Sequence, residues 1–308
     1  MLSHYSYQKE LEQAFHYIEN HLKQNIDSEE VARAANFSYF HFHRIFYSMT
    51  GEMIGDYIRK RRLTEAAIEL LTSDKLILDI ALDYQFTSQE AFHRSFKNTF
   101  GLTPALFRKR GTRPIMLQKP PLIEGRFRHR IEKISLQPII EEILSGIRIM
   151  GIKKEMNLDQ NRFMEIWSQF YTRSREISQK NLFVNQEVAY GICTADGPIN
   201  QMEMTSGTRF MGIAGMESTK QKDIPEGFCI HTIPKGSYAV FRHQYTGATL
   251  RDTYDYIWCT WLPSSEYVMD DRDNFERYGP EFTSIDDPTS IIYLYIPIKR
   301  KNKESDLQ

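Results

Sequence analysis

Apolar positions between Gln8 and Phe107 recur at helical spacing. Leu11, Phe15, Ile18 and Leu22 fall three and four apart, which predicts an amphipathic helix. Asp27 or Ser28, followed by Glu29 and Glu30, reads as the capped start of a second. Ser38 opens a third that runs to about Met49 and is stopped by Gly51. A long segment, roughly Ile54 to Thr72, keeps Ile58, Leu63, Ala66, Ala67, Leu70 and Leu71 on one side. Leu76 to Asp83 is short and apolar, and Ser88 starts a helix ending near Gly101. Thr103 then caps a last short helix, with Pro104 in the first turn, where its missing N–H costs nothing.

Beyond Phe107 the pattern changes. Gly111 to Pro121 holds three prolines in eleven positions, the composition of a semi-rigid spacer. Ile147 to Lys153 alternates as a strand, Asp159 to Ile177 reads as a helix, and Val188 to Thr194 and Thr208 to Met216 read as strands. The order then recurs: a strand at Ser237 to Gln244, a helix at Ala248 to Trp261, and strands near Tyr267 to Asp270 and Ser290 to Pro297. The expected fold is therefore multidomain. An all-α amino-terminal domain, residues 1–111, precedes a linker at 112–127, an α+β domain at 128–300 with a duplicated strand-helix-strand-strand unit, and a polar tail at 301–308.

The first 110 residues repeat themselves. Phe42-His43-Arg44 recurs as Phe92-His93-Arg94, Phe46 as Phe96 and Gly51 as Gly101, all offset by 50. Ala32 and Phe37 match Ala81 and Phe86 at offset 49, so the second copy has one extra residue in its turn. Each copy is a short apolar helix, a tight turn, a cap and a longer helix. That is the helix-turn-helix outline, whose second helix enters a major groove. A connecting helix of about 19 residues spans roughly 28 Å. It can hold two recognition helices about one duplex turn, 34 Å, apart, so that one monomer reads two successive grooves on one face. Two packed hairpins without nucleic acid are the plain alternative. Against it stand Arg44 and Arg94, each set among aromatic or apolar core positions where Arg is costly unless it points outward. Arg to guanine is the commonest specific base contact.

Composition narrows the rest. The 308 residues suggest two domains, and 41% hydrophobic with 26% charged residues exclude wholesale disorder. No apolar run approaches the roughly 18 residues of a spanning helix, and Met1 to Glu10 lacks the apolar stretch of a secretory signal, so no membrane role is expected. Cys193, Cys229 and Cys259 show no C-x-x-C spacing, which suits a reducing cytoplasm and offers neither a disulfide framework nor a zinc site. His41 and His43 lie two apart and do not share a helix face, so no metal is expected there. Lys and Arg number 15 against 14 Asp and Glu in residues 1–113, and 24 against 26 in the remainder. A nucleic-acid role must then rest on local clusters such as Arg59-Lys60-Arg61-Arg62 and Arg108-Lys109-Arg110, for which a solvated helix face is the plainer reading on charge alone.

Ile80-Ala81, Phe86 and the run Phe92-His93-Arg94-Ser95-Phe96-Lys97-Asn98-Thr99-Phe100-Gly101-Leu102-Thr103-Pro104, closing at Phe107-Arg108, resemble the signature of AraC-type transcription regulators. Gly51, Tyr57-Ile58 and Arg61-Arg62-Leu63 fit the linker helix of that family, and the whole of residues 8–110 is similar to the monomeric activators of the MarA, SoxS and Rob group. The resemblance implies a cytoplasmic activator that binds double-stranded DNA and meets RNA polymerase. It implies that Phe40, His43 and Arg44 face DNA from the first recognition helix, and Gln89, Glu90, His93 and Arg94 from the second. Two positions depart from the family. Gln85 stands where it has Gly, which implies a tighter or differently shaped second turn, and Phe40 stands where related activators carry Trp.

Residues 128–300 resemble the GyrI-like effector-binding domain. The likeness rests on the strand-helix-strand-strand pattern, Trp258-x-x-Trp261-Leu262-Pro263, Asp273-Asn274-Phe275-Glu276-Arg277-Tyr278 and the strand Ile292 to Ile298. Residues 226–295 hold 14 aromatics in 70 positions. Strand propensity explains most of these as core. The sharper reading is a pocket whose aromatic faces attract a small amphipathic, often cationic effector. The resemblance places Glu276 at its centre; Trp258, Trp261, Tyr238, Tyr293 and Tyr295 are the candidate ring walls, and Glu266 is the second choice. Glu276 equally fits a solvated acidic run with Asp270, Asp271, Asp273 and Glu281. No phosphate loop, H-E-x-x-H or G-x-S-x-G motif is present, so neither an enzyme nor a cofactor is expected. Two alternatives keep DNA binding and change the second domain's role, to binding protein partners or to hydrolysing small electrophiles.

Overall fold

The computed structural model describes residues 7–111, 118–123, 125–177, 182–194, 205–219, 224–244 and 246–301. Residues 112–117 of the expected spacer and 302–308 of the expected tail lie outside these. The chain folds into two compact units. One is built from the stretch up to Glu132 together with Arg251–Ser264, and the other from most of the remainder.

The first unit opens with α1, Gln8–Asn20, which buries the predicted stripe Leu11, Ala14, Phe15 and Ile18. The Asp27 carboxylate accepts the Glu29 N–H and starts α2, Ser28–Ala34. Next come α3, Tyr39–Thr50, and α4, Ile54–Thr72. Then follow α5, Ile77–Asp83, α6, Gln89–Phe100, and α7, Pro104–Arg110. Ser88 and Thr103 cap α6 and α7 by accepting from Ala91 and Leu106. Gly51 and Gly101 end α3 and α6 in the left-handed conformation, φ 76° and 72°, where a Cβ would be strained. An eighth helix, α8, Arg126–Lys133, was not expected, because its buried positions Phe127, His129 and Arg130 do not read as an apolar stripe.

The long helix α4 serves two cores. Its first half gives Ile54, Tyr57 and Ile58 to a cluster with Phe15, Phe42 and Phe46. Its second half gives Leu63, Ala66, Ala67 and Leu70 to a cluster with Phe92, Phe96 and Phe107. Removing each of these rings from water contributes roughly 1.5–3 kcal/mol, so both halves are held by their own packing.

The second turn is not differently shaped, contrary to expectation. Gln85 adopts φ 62° and its counterpart Asn36 φ 55°. The Phe86 N–H donates to Ala81 O and the Phe37 N–H to Ala32 O, both at 2.9 Å. The side chain at Gln85 changed and the backbone did not. The extra residue of the second copy, Thr87, sits between this turn and the Ser88 cap.

The second unit is strand-rich. Its elements are β1, Ile139–Ile143, β2, Ile147–Met156, α9, Phe163–Ile177, β3, Ala189–Thr194, and β4, Phe210–Glu217. They continue with β5, Cys229–Ile233, and β6, Gly236–Gln244. The chain then passes through α10, Leu250–Tyr256, and a π-helical turn, Ile257–Trp261, to β7, Tyr267–Met269, β8, Asn274–Tyr278, and β9, Ile291–Arg300. All pairings are antiparallel, in the order β1-β6-β9-β8-β3-β4-β2-β5, with β7 added against β9. One apolar cluster runs from Ile143 on β1 to Ile233 on β5, inside a half-barrel. The segment near Tyr267 to Asp270, expected as a strand of the repeated unit, is a three-residue addition off the main path. The middle of this path is the β8–β3 pair, and β8 is five residues rich in charge that lack the alternation of a half-buried strand. No helix among the described residues is long and apolar enough to cross a membrane.

Candidate functional site

Two exposed helix faces carry the first set of expected residues. On α3 the buried positions are Phe42, Ile45, Phe46 and Met49, which turns Phe40 and Arg44 outward. Phe40 is 84% exposed, a large apolar ring that meets the Tyr39 ring edge-on at 5.4 Å and otherwise faces outward among the described residues. On α6 the buried positions are Phe92, Phe96 and Phe100, and Glu90 and Arg94 are exposed. Arg44 and Arg94 make no ion pair with another described residue, so both guanidinium forks remain available for bidentate contact. Glu90 sits in the first turn of α6, where a backbone N–H and the Ser88 hydroxyl hold its carboxyl below the usual range. Gln89 is half-buried beside it. His43 and His93 are also half-buried, and in each the Nε2 is buried with no hydrogen-bond partner among the described residues. His43 packs its ring 4.4 Å from that of Tyr39. The repeat therefore places both arginines outward and tucks both histidines inward.

Behind α3 lies a buried charge cluster that sequence reasoning missed. Glu52, just past the Gly51 cap, is ion-paired with Lys119, 3.5 Å from Lys60 and 3.6 Å from Arg130. Burial pushes the Glu52 carboxyl up, and these cations outweigh it and hold it below its ordinary value. Burial pushes Lys119 down to about 8, against the pull of Glu52. Arg251–Ser264 belongs to this cluster. Lys119 Nζ donates to Thr260 Oγ1 at 2.6 Å, and Lys60 Nζ to the Cys259 carbonyl at 2.8 Å. The Tyr256 hydroxyl lies 3.0 Å from where a Cβ on Gly51 would stand. Trp258 and Trp261 are buried in the π-helical turn of the same segment, with Tyr254 stacked on Trp258 at 6.4 Å.

In the second unit, side chains alternate across the sheet, and the register decides which can meet. Glu276 on β8 stands opposite Gly191 on β3 and Leu294 on β9. It is half-buried and accepts a short hydrogen bond from the Tyr278 hydroxyl on the same face. Trp167, from α9, covers that face. A Cβ on Gly191 would lie 3.4 Å from the Tyr278 ring, 3.5 Å from the Trp167 ring and 3.6 Å from Glu276 Oε2. The missing side chain of Gly191 is thus the space in which carboxylate, phenol and indole converge. Trp167 crosses Tyr278 edge-on at 5.1 Å and stacks on Tyr171 at 5.7 Å. Burial, then Glu276, pushes the Tyr278 phenol well up, so it stays protonated and donates.

The tyrosines grouped with Glu276 at the sequence level do not join it. Phe275 pairs with Tyr295 and Arg277 with Tyr293, so Tyr293 and Tyr295 lie on the opposite face. Tyr238 joins them there, its ring 5.4 Å from Phe275 and its hydroxyl donating to Pro234 O. Tyr295 stacks on Phe275 at 4.5 Å and donates to Glu141. These rings are half-barrel core. Glu266 lies beside β7, exposed, 3.8 Å from an equally exposed Arg300. The missed residues are Trp167, Tyr171 and Tyr278. Only the Phe275-Glu276-Arg277-Tyr278 spacing offered a signal for one of them, by placing Tyr278 two residues from Glu276 on a strand.

Comparison with known proteins assigns the two halves to families. Residues 31–110 match the helix-turn-helix domain family and residues 137–299 the GyrI-like small molecule binding domain family. The right origin-binding protein of Escherichia coli K12 is 28% identical over 298 residues, covering 92% of this chain and 96% of that protein. The regulatory protein SoxS of the same strain is 38% identical over 105 residues, 34% of this chain and 98% of SoxS. The uncharacterized HTH-type transcriptional regulator YbfP of Bacillus subtilis is 46% identical over 102 residues, and the match spans only 35% of its length. The chain belongs to the GyrI-like family through its strand-rich half, and as a whole it is an AraC-type DNA-binding transcription regulator of the MarA, SoxS and Rob group.

Proposed function

We propose that this regulator reads two successive major grooves on one face of a duplex and responds to a small amphipathic organic cation held at Glu276. Phe40, Arg44, Gln89, Glu90 and Arg94 contact base edges, and His43 and His93 act mainly by orienting the helices that carry them. The observation that carries the ligand reading is the convergence of Trp167, Tyr278 and Glu276 over Gly191. A half-buried carboxylate walled by ring faces favours a cation whose apolar groups take up the rings while its charge offsets the carboxylate.

The strand order supports two copies of one unit. Exchanging β2, β3, β4 and β5 with β6, β8, β9 and β1 turns the order into itself read backwards. Ile166-Trp167 then finds its counterpart in Ile257-Trp258. The Glu276–Gly191 pair stands at the centre of the β3–β8 ladder, where the halves meet. The effector domain spans 128–300 by sequence, yet Arg251–Ser264 gathers with the DNA-reading unit. That segment, docked on Glu52, Lys60 and Lys119, is the element by which occupancy changes DNA affinity. A ligand acts only by binding two states unequally, and the π-helical turn is the place where this helix can shift register. We read the protein as a cytoplasmic activator, with RNA polymerase as its partner at the promoter, and as a binder rather than a catalyst.

Full-length protein titrated with tetraphenylphosphonium tests the ligand reading. Tryptophan fluorescence should be quenched saturably, and Glu276→Gln should weaken binding by about 2 kcal/mol, roughly 30-fold. Equal affinity in the variant would refute the site. The hydrogen bond from Tyr278 to Glu276 favours one second reading, hydrolysis of a small electrophile. Reactive esters turned over by the full chain, with loss in both Glu276→Gln and Tyr278→Phe, would establish it; no turnover removes it.

A further inference from the structure

The two helix-turn-helix turns have one backbone and two different side-chain strategies. The left-handed conformation is costly for residues with a Cβ, and asparagine tolerates it better than glutamine. Asn36 occupies the first turn, and Gln85 the second. The Gln85 amide Nε2 reaches across 62 residues of sequence to donate to the Lys23 carbonyl at 2.8 Å. Lys23 lies in the loop that ends α1, part of the other half of the domain. Arg62, on α4, grips the same loop, donating to Leu22 O at 2.9 Å and to Gln24 O at 2.7 Å. The Lys23 ammonium pairs with Glu69 at 2.6 Å and sits 4.8 Å from the centre of the Tyr84 ring. Tyr84 closes the circuit by donating to Glu69 at 3.0 Å. Three consecutive residues, Leu22 to Gln24, are thus held both by the rod between the two halves and by the turn of the second half.

A single helix joining two bodies lets small bends and twists along its length add up to an angular offset between them. A second tie away from the helix axis limits that offset. We infer that Gln85, Lys23 and Arg62 are positioning residues for two-groove recognition, fixing the angular phase of the second recognition helix relative to the first. B-form DNA completes a turn in about 10–10.5 base pairs, so one added base pair rotates the second groove by about 34° and advances it by about 3.4 Å. A locked domain cannot follow that rotation, and a hinged one can. This accounts for a glutamine where a glycine would be less strained: the strained backbone aims an amide at the opposite half. The inference rests on the reading that both recognition helices enter one duplex.

The test uses the full chain. A duplex selected by the wild-type protein from random sequence is remade with one base pair inserted or deleted between its two half-sites. The wild type should lose about tenfold to a hundredfold in affinity on either change. Gln85→Gly keeps the turn's backbone and removes the amide. It should bind the selected duplex within a few-fold of wild type and lose less than about fivefold on insertion. Arg62→Met should act in the same direction, which keeps the test open if either variant folds poorly. A purely structural role would weaken both duplexes equally and leave the spacing penalty intact, and that result overturns the inference. A wild type indifferent to spacing overturns it too, while a selected site with a single half-site would end the two-groove reading along with it.

Discussion

In the proposed reading, a single side chain on each recognition helix carries much of the base recognition. Arg44 and Arg94 are exposed because their helices bury phenylalanines two residues before and after them. Arg94→Ala should cost about 1–3 kcal/mol on a selected duplex and relax discrimination at one base pair, and Arg44→Ala should do so at a position one turn away. Affinity measured across single base-pair variants checks both, and unchanged preference would remove the residue from base reading. These arginines were legible because the repeat set them against buried aromatics. The histidines beside them were less so, since the repeat alone does not say which side of a helix buries an imidazole edge. Glu276 was singled out through family resemblance, and the structure makes it half-buried beside Tyr278 rather than part of a solvated acidic run. Its companions Tyr238, Tyr293 and Tyr295 were misplaced because composition counts aromatics without knowing strand register, and a register assigns each to one face.

At the scale of elements, the extent of α4 was readable from its apolar spacing, whereas its division between two cores, with Tyr57, Arg61 and Thr64 also buried, was not, because it depends on the helices packed against each half. Strand β8 was not readable, because Asn274-Phe275-Glu276-Arg277-Tyr278 sets two charged residues side by side without a period of two, and its burial comes from α9 and neighbouring strands, which local pattern does not contain. Glu69 on α4 makes a pH prediction at this scale. Burial would raise its carboxyl, but hydrogen bonds from Lys23, Lys75 and Tyr84 outweigh that and hold it at about 2, below the ordinary 4.5. A depressed acid contributes stability that is complete above the unfolded value and lost as pH falls from about 4.5 toward 2. Thermal unfolding should show that loss, and Glu69→Gln should be less stable at neutral pH by roughly 1 kcal/mol with a flatter acid limb. A variant with the wild-type acid profile would mean that Glu69 is not tied as described.

For the whole molecule, the proposed coupling runs through sequence that lies in the GyrI-like stretch and packs with the helical unit. Arg251–Ser264 sits in the stretch matching the GyrI-like family and folds with the amino-terminal helical unit. Lys60→Gln and Thr260→Val should leave tetraphenylphosphonium binding intact and reduce its effect on DNA affinity, since coupling lies in differential contacts rather than in the pocket. Equal coupling in these variants would direct attention away from the Glu52 cluster. Underneath that lies the geometry of reading itself. A hydroxyl-radical footprint of the full-length protein on a selected duplex measures it most directly. Two protected windows about 10 base pairs apart on the same face, one lost with Arg44→Ala and the other with Arg94→Ala, are the result expected. A single window, or two on opposite faces, would contradict the account.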